Sequence, residues 1–233
     1  IYVSYIDENG LDNFINDLTK NSPDYDFESF DKSHHTLWCI RNPDQIKQLS
    51  RGINNINLLY IADGHHRIGA MKKISELNKS FNYFMIAAFP KSQSKIFDYN
   101  RVIKDLNGLT VNEFIKKIEY FFFCKKQFTS FRPKKLKEFG MYHNNQWYSI
   151  NFKKKELLDS NILSNLDINI INQYCLKPIL GIKDVNNDER IRFIAGCHGL
   201  KTLEKKVNDN PDSVAFSIFP THIDDVIEVA NQK

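Results

Sequence analysis

Glycine and cysteine are both scarce in this chain of 233 residues. Nine glycines, set against 18 phenylalanines and 10 tyrosines, leave little room for long flexible loops and favour packed elements. The four cysteines, Cys39, Cys124, Cys175 and Cys197, lie far apart with no Cys-x-x-Cys, so a disulfide framework is not expected and reduced thiols in a cytoplasmic protein are. Cys39 and Cys124 fall in apolar runs and read as core. No apolar stretch approaches the roughly 18 residues of a membrane span, and no signal peptide is present, so no membrane partner is expected. The chain opens on Ile1 without a methionine, which reads as a piece of a longer protein. Internal repeats and low-complexity tracts are absent.

Strong charge is also missing. The net charge of +4 comes from lysines scattered among acids. Such a mild positive field favours anionic small molecules such as nucleotides but is too weak to argue for DNA, and without a recognition helix of clustered basic residues no nucleic-acid partner is expected. The densest basic run, Arg132 to Lys137, contains Pro133 and reads as a solvated loop. A hydrophobic share of 42% and a charged share of 26% are those of a globular protein whose size allows one large domain or two small ones.

The stretch from Leu58 to Met71 holds the candidate chemistry. Leu58, Leu59, Tyr60, Ile61 and Ala62 have the length of a buried strand, and Ala70, Met71, Ile74 and Leu77 share one side of a following helix. Asp63-Gly64-His65-His66-Arg67 therefore falls at a strand-to-helix turn. A helix start presents unpaired N–H groups and the positive end of the peptide dipole, which together attract anions. Gly64 permits the tight turn, Arg67 donates bidentately to phosphate, and the imidazoles of His65 and His66 add donors. Asp63 supplies one carboxylate, suited to Mg²⁺ beside a phosphate chain or to receiving a proton. Adjacent histidines point in different directions and make a poor pair for zinc. A solvated turn with no ligand has the same composition, and that reading stays open.

Along the chain, Ile1 to Tyr5 reads as a strand and Leu11 to Leu18 as a short helix after the Asp7–Gly10 turn. Thr36 to Ile40 reads as a strand, and Asn42-Pro43 opens a helix that turns Ile46, Leu49 and Ile53 inward. Phe81 to Phe89 reads as a strand buried on both faces, completing a βαβ unit. Phe97 to Lys104 carries Asp98, Asn100 and Arg101, which face either a ligand or solvent. Thr110 and Glu113 form a capping box before a helix that continues into a strand over Phe121 to Phe128. A hairpin over Phe139–His143 and Trp147–Phe152 follows, then helix from Leu157 to Gly181 and a polar loop to Arg190. Strand, helix, strand and helix close the chain from Ile191. The glycine-bounded turn Gly196-Cys197-His198-Gly199 is either structural or a second anion cradle, which would weaken above neutral pH as His198 loses its proton. The expected class is α/β to α+β, a mixed sheet with flanking helices, divided as 1–130 and 131–233.

Ala62-Asp63-Gly64-His65-His66-Arg67 resembles the signature of the free-serine-kinase-like (SerK-like) family, whose core resembles the ParB and sulfiredoxin nucleotide-binding fold. Phe89-Pro90, Asp98 to Leu109, Leu176-Lys177-Pro178-Ile179-Leu180-Gly181-Ile182 and Val214 to Thr221 resemble later blocks of that family in order. His65 stands where a sulfiredoxin-like turn has its reactive cysteine, which argues against sulfinic-acid repair. The resemblance implies phosphoryl transfer from ADP or ATP, with Mg²⁺, to the hydroxyl of free L-serine. Asp63 and His65 would be catalytic, with Asp63 also on the metal. Gly64, His65, His66, Arg67, Arg101 and His198 would bind the nucleotide. The family's base, a glutamate of a His-Glu pair, has no counterpart in this chain and is expected upstream of Ile1. The rival expectation is a non-catalytic, nucleotide-binding regulator of ParB-like type.

Overall fold

The computed structural model describes residues 1–80, 83–157 and 161–232. The chain divides into two compact units, Ile1–Ser94 and Lys95–Lys233, so position 130 lies inside the second unit. Both mix helices and strands, as the α/β to α+β reading requires.

In the first unit, β1 (Tyr2–Tyr5) lies between β4 (Leu59–Asp63) and β5 (Ala87–Pro90). It runs antiparallel to β4, pairing Val3 with Ile61 and Tyr5 with Leu59, and parallel to β5. Helix α1 (Leu11–Leu18) starts where the Asp7 carboxylate accepts from the backbone N–H groups of Asn9, Leu11 and Asp12. Helix α2 (Pro43–Asn54) starts at Asn42, whose side chain accepts from the N–H groups of Asp44 and Gln45. Between these helices lies a small hairpin of β2 (Tyr25–Glu28) and β3 (His34–Leu37). The sequence reading misses β2 and shifts β3 towards Ile40: both strands are short and exposed, and while Tyr25 and Phe27 alternate with Asp26 and Glu28 in β2, β3 carries little apolar alternation.

Six sequence expectations fail in this unit. Strand β4 is exposed along most of its length, with Leu58, Leu59 and Ile61 all accessible. Helix α3 (His65–Leu77) buries no residue, and Leu77 is 88% exposed. Helix α2 likewise leaves Ile46 and Ile53 accessible. An apolar run or stripe makes an element fit for burial without supplying the layer that would cover it. The long strand expected over Phe81 to Phe89 is reduced to β5. Phe81 and Asn82 lie outside the described residues, and Tyr83 to Ile86 are exposed and form no strand. Finally, β4 and β5 are antiparallel and separated by β1, so strand, helix and strand do not make a βαβ unit. Element order alone does not reveal that the first strand is inserted between them. Cys39 is exposed, not core.

The second unit is built on six antiparallel strands in the order β10 (Ile191–Ala195), β6 (Tyr99–Ile103), β11 (Val214–Ile218), β8 (Glu138–His143), β9 (Gln146–Phe152) and β7 (Phe122–Gln127). Successive residues of β6 serve opposite faces. Ile103 joins a large core with Phe139, Met141 and Phe216 against Phe114 and Ile118 of α4 (Val111–Phe121) and Ile170 and Ile171 of α6 (Asp167–Ile171). Val102 joins a smaller core with Tyr142 and Ala215 against Leu203 and Val207 of α7 (Leu200–Asn208).

The Thr110–Glu113 capping box opens α4 as expected, and Asn144 and Asn145, with φ of 46° and 57°, form the turn of the β8–β9 hairpin. The helix expected from Leu157 to Gly181 is broken. Residues 158–160 lie outside the described residues, α5 covers only Ile162–Asn165, and α6 passes into a π-helical turn over Asn172–Leu176. Helix α8 (Ile223–Asn231) closes the chain.

Candidate functional site

Strand β4 ends on Asp63, Gly64 caps the helix, and α3 begins at His65, five residues before the apolar stripe that marked it in the sequence. Gly64 has φ 95°, in the left-handed region that glycine occupies without strain. Its position is also tight: a Cβ there would lie 3.2 Å from Arg67 Nε and 3.3 Å from the Ile1 Cα. Ile68 N–H donates to the Gly64 carbonyl at 3.0 Å, closing the first turn. No side chain caps the helix and its first turn holds no acidic residue. The N–H groups of the first turn thus keep their capacity to donate, and the dipole's positive end is not offset from within that turn.

His65, His66 and Arg67 all stand exposed on this turn. The Arg67 Nη2 donates to Asp63 Oδ2 at 2.6 Å, bridging the glycine from helix to strand. Both partners are largely in water, at 63% and 73% side-chain exposure, so the pair contributes only about 0–1 kcal/mol and exchanges readily for another oxyanion. The turn therefore brings together Asp63, Gly64, His65, His66 and Arg67, as the sequence reading required. Among the described residues, no group of three or more His, Cys, Asp or Glu side chains is placed to hold a metal ion. A Mg²⁺ here would rest on Asp63 and on oxygens of its own phosphate ligand, which is this ion's usual habit.

The other two candidates belong to the second unit. Arg101 is not at a solvent-facing strand end: it is 4% exposed, and its Nη1 donates to the Ile168 carbonyl and to Asn172 Oδ1. Burial lowers its pKa to about 10, which leaves it a cation at neutral pH. Asp98 and Asn100 are buried too, and the Asn100 amide joins the Asp98 carboxylate at 2.7 Å. Arg132 reaches Asp98 at 3.5 Å from the loop that the sequence marks only as a basic run. Gly196 lies against this carboxylate so closely that a Cβ would fall 1.9 Å from Asp98 Oδ1. The glycine of the Gly196–His198 turn is thus accounted for by packing. His198 itself is exposed, its carbonyl accepting from the Thr202 hydroxyl at 2.8 Å.

Sequence reasoning passed over Asn172, Lys177 and Lys183, which line a cavity beside the π turn. A change from α to π winding leaves no trace in an apolar periodicity as short as this one, so no signal pointed to them. Among the described residues, no helix is long and apolar enough to cross a membrane.

A family model described as "Protein of unknown function (DUF1015)" matches residues 1–169, and the chain belongs to that family. No curated protein matches the chain. These findings overturn the resemblance to the free-serine-kinase-like family and to a ParB/sulfiredoxin-like core, since the matching family carries neither assignment. The short Asp-Gly-His-His-Arg turn misleads for a physical reason: a glycine, an open helix start and basic side chains form an anion-seeking unit that unrelated folds share.

Proposed function

We propose, for this member of a family without an assigned activity, that the turn from Asp63 to Arg67 binds the phosphates of ADP or ATP and supports phosphoryl transfer to a small hydroxyl compound. Free L-serine is the first acceptor to test. The observation that carries the reading is the helix start behind Gly64: a left-handed glycine, no side-chain cap, no acid in the first turn, and three nitrogen-bearing side chains beside it.

Phosphoryl transfer asks a protein for alignment and charge neutralisation more than for covalent chemistry. The first-turn N–H groups and Arg67 would receive phosphate oxygens, with His65 and His66 donating alongside. Arg67 would leave Asp63 to do so, and the freed carboxylate would hold Mg²⁺ or orient the acceptor hydroxyl. Mg²⁺, when bound, supplies neutralisation of charge on the phosphate chain.

The test is mass-spectrometric detection of O-phosphoserine with serine, Mg²⁺ and each nucleotide, beside calorimetric titration of the nucleotide alone. Arg67→Ala should weaken nucleotide binding by about tenfold or more, and Asp63→Ala should abolish turnover with the fold retained. Binding that survives Arg67→Ala and Gly64→Ala unchanged removes this turn from the function. Nucleotide binding without product under every acceptor tried leaves a regulator and removes the transferase.

A further inference from the structure

The second unit holds a cavity of about 560 Å³ formed where the π turn Asn172–Leu176 meets the loop after Leu180. A π turn widens the helix by one residue, and such turns recur at functional sites. Here the Lys177 N–H donates to the Asn172 carbonyl at 2.9 Å, and Asn172 and Lys177 both line the cavity. Lys183 lines it from the loop. Neither lysine has an ion-pair partner among the described residues.

Behind this wall lies Arg101. It is almost completely buried, no carboxylate lies within 4 Å of it among the described residues, and its Nε has no hydrogen-bond partner. Removing a cation from water without a counter-ion is costly, and here the Ile168 carbonyl, Asn172 Oδ1 and the Phe193 ring, 5.7 Å away, offset that cost with neutral groups alone, leaving the positive field uncancelled. Among the described residues the one side-chain acceptor of Arg101 is Asn172 Oδ1, which leaves the amide nitrogen as the remaining polar group of that asparagine side chain. The wall thus offers donors. Among the described residues, the one carboxylate on the cavity, Asp184, is engaged by the Asn186 N–H at 2.9 Å and the Asn187 amide at 2.7 Å within its own loop. Two lining lysines, with the buried Arg101 guanidinium held behind Asn172, against one engaged carboxylate suit a dianion. Leu163, Ile182 and Val185 add an apolar edge, and the volume is that of a small-molecule site, far more than a bare phosphate fills.

We infer that this cavity binds an organic phosphate monoester, its phosphate held by Lys177, Lys183 and the Asn172 amide and its organic body set against the apolar edge. The site lies within the second unit and does not depend on the nucleotide reading of the turn at Gly64.

The experiment is calorimetric titration of the whole chain with phenyl phosphate, which carries no nucleotide, and separately with inorganic phosphate. Phenyl phosphate should saturate one site and bind more tightly than inorganic phosphate. Lys177→Ala combined with Lys183→Ala should weaken it by about tenfold or more. Asn172→Asp gives Arg101 a carboxylate, so its thermal midpoint should hold or rise while binding is lost. Arg67→Ala should bind phenyl phosphate as the unaltered chain does. The inference is overturned by absence of saturable binding, by equal affinity in the double-lysine variant, by loss of binding in Arg67→Ala, or by inorganic phosphate matching phenyl phosphate.

Discussion

At the scale of single residues, burial decides which charges matter. Asp167 is 3% exposed, and both its oxygens accept from the Lys137 N–H, at 2.9 and 3.0 Å. Desolvation raises its pKa from 3.8 to about 6, outweighing the lowering effect of those hydrogen bonds. A carboxyl whose folded pKa lies above its unfolded one holds its proton more tightly in the folded chain. Its stabilising contribution is present below about pH 4 and lost as the pH climbs to about 6, a swing of up to about 3 kcal/mol. Asp167→Asn keeps an acceptor for Lys137 and removes the titration. The stability difference between the unaltered chain and this variant, from urea denaturation at intervals between pH 4 and pH 7, should therefore fall across that window. Parallel curves would show that Asp167 titrates alike in both states. None of this was legible in the sequence, where Asp167 is one acid among 28 acidic residues. The same holds for Arg101, since periodicity marks its strand but not the helical layer laid over it.

At the scale of elements, local chemistry was legible wherever one or two residues settle a conformation. Thr110 and Glu113 close their box with the Glu113 carboxylate accepting from the Thr110 N–H at 2.9 Å. Two asparagines in the left-handed region turn the β8–β9 hairpin. Thr110→Ala should accordingly cost about 1 kcal/mol, read as a shift in urea midpoint with unchanged slope. A change below a few tenths would mean that packing of Phe114 and Ile118 alone sets where α4 begins. What was not legible is any element whose form depends on a distant partner. Strand β1 lodges between β4 and β5, β2 and β3 pair as two short exposed strands, and the π turn interrupts a helical stretch. The candidate turn was found because glycine and its charged neighbours announce themselves locally. The cavity wall was not: its members lie between Leu163 and Val185, but the π turn that brings them round one space leaves no periodic signal.

At the scale of the whole chain, the two units differ in how much apolar surface they bury. Val3, Tyr5 and Leu11 are the buried hydrophobic side chains among the described residues of the first, whereas the second has two packed cores on its sheet. Since burial of apolar area is the main stabilising contribution, the first unit should open at lower denaturant. The chain's two tryptophans report on this separately, Trp38 from the first unit and Trp147, 4% exposed, from the second. With each in turn replaced by phenylalanine, the Trp38 signal should change at lower urea than the Trp147 signal. Coincident transitions would mean a single cooperative body.

The six-stranded sheet has its own consequence at the margin. Among the described residues, strand β7 pairs on one side with β9 and with no second strand, yet its outer backbone is as able to form a ladder as its inner one. Two consecutive lysines, Lys125 and Lys126, stand exposed on it. Their mutual repulsion with the same strand of another molecule disfavours pairing at this edge of the sheet. Acetylation of these lysines should weaken that barrier and favour a dimer paired edge to edge through β7.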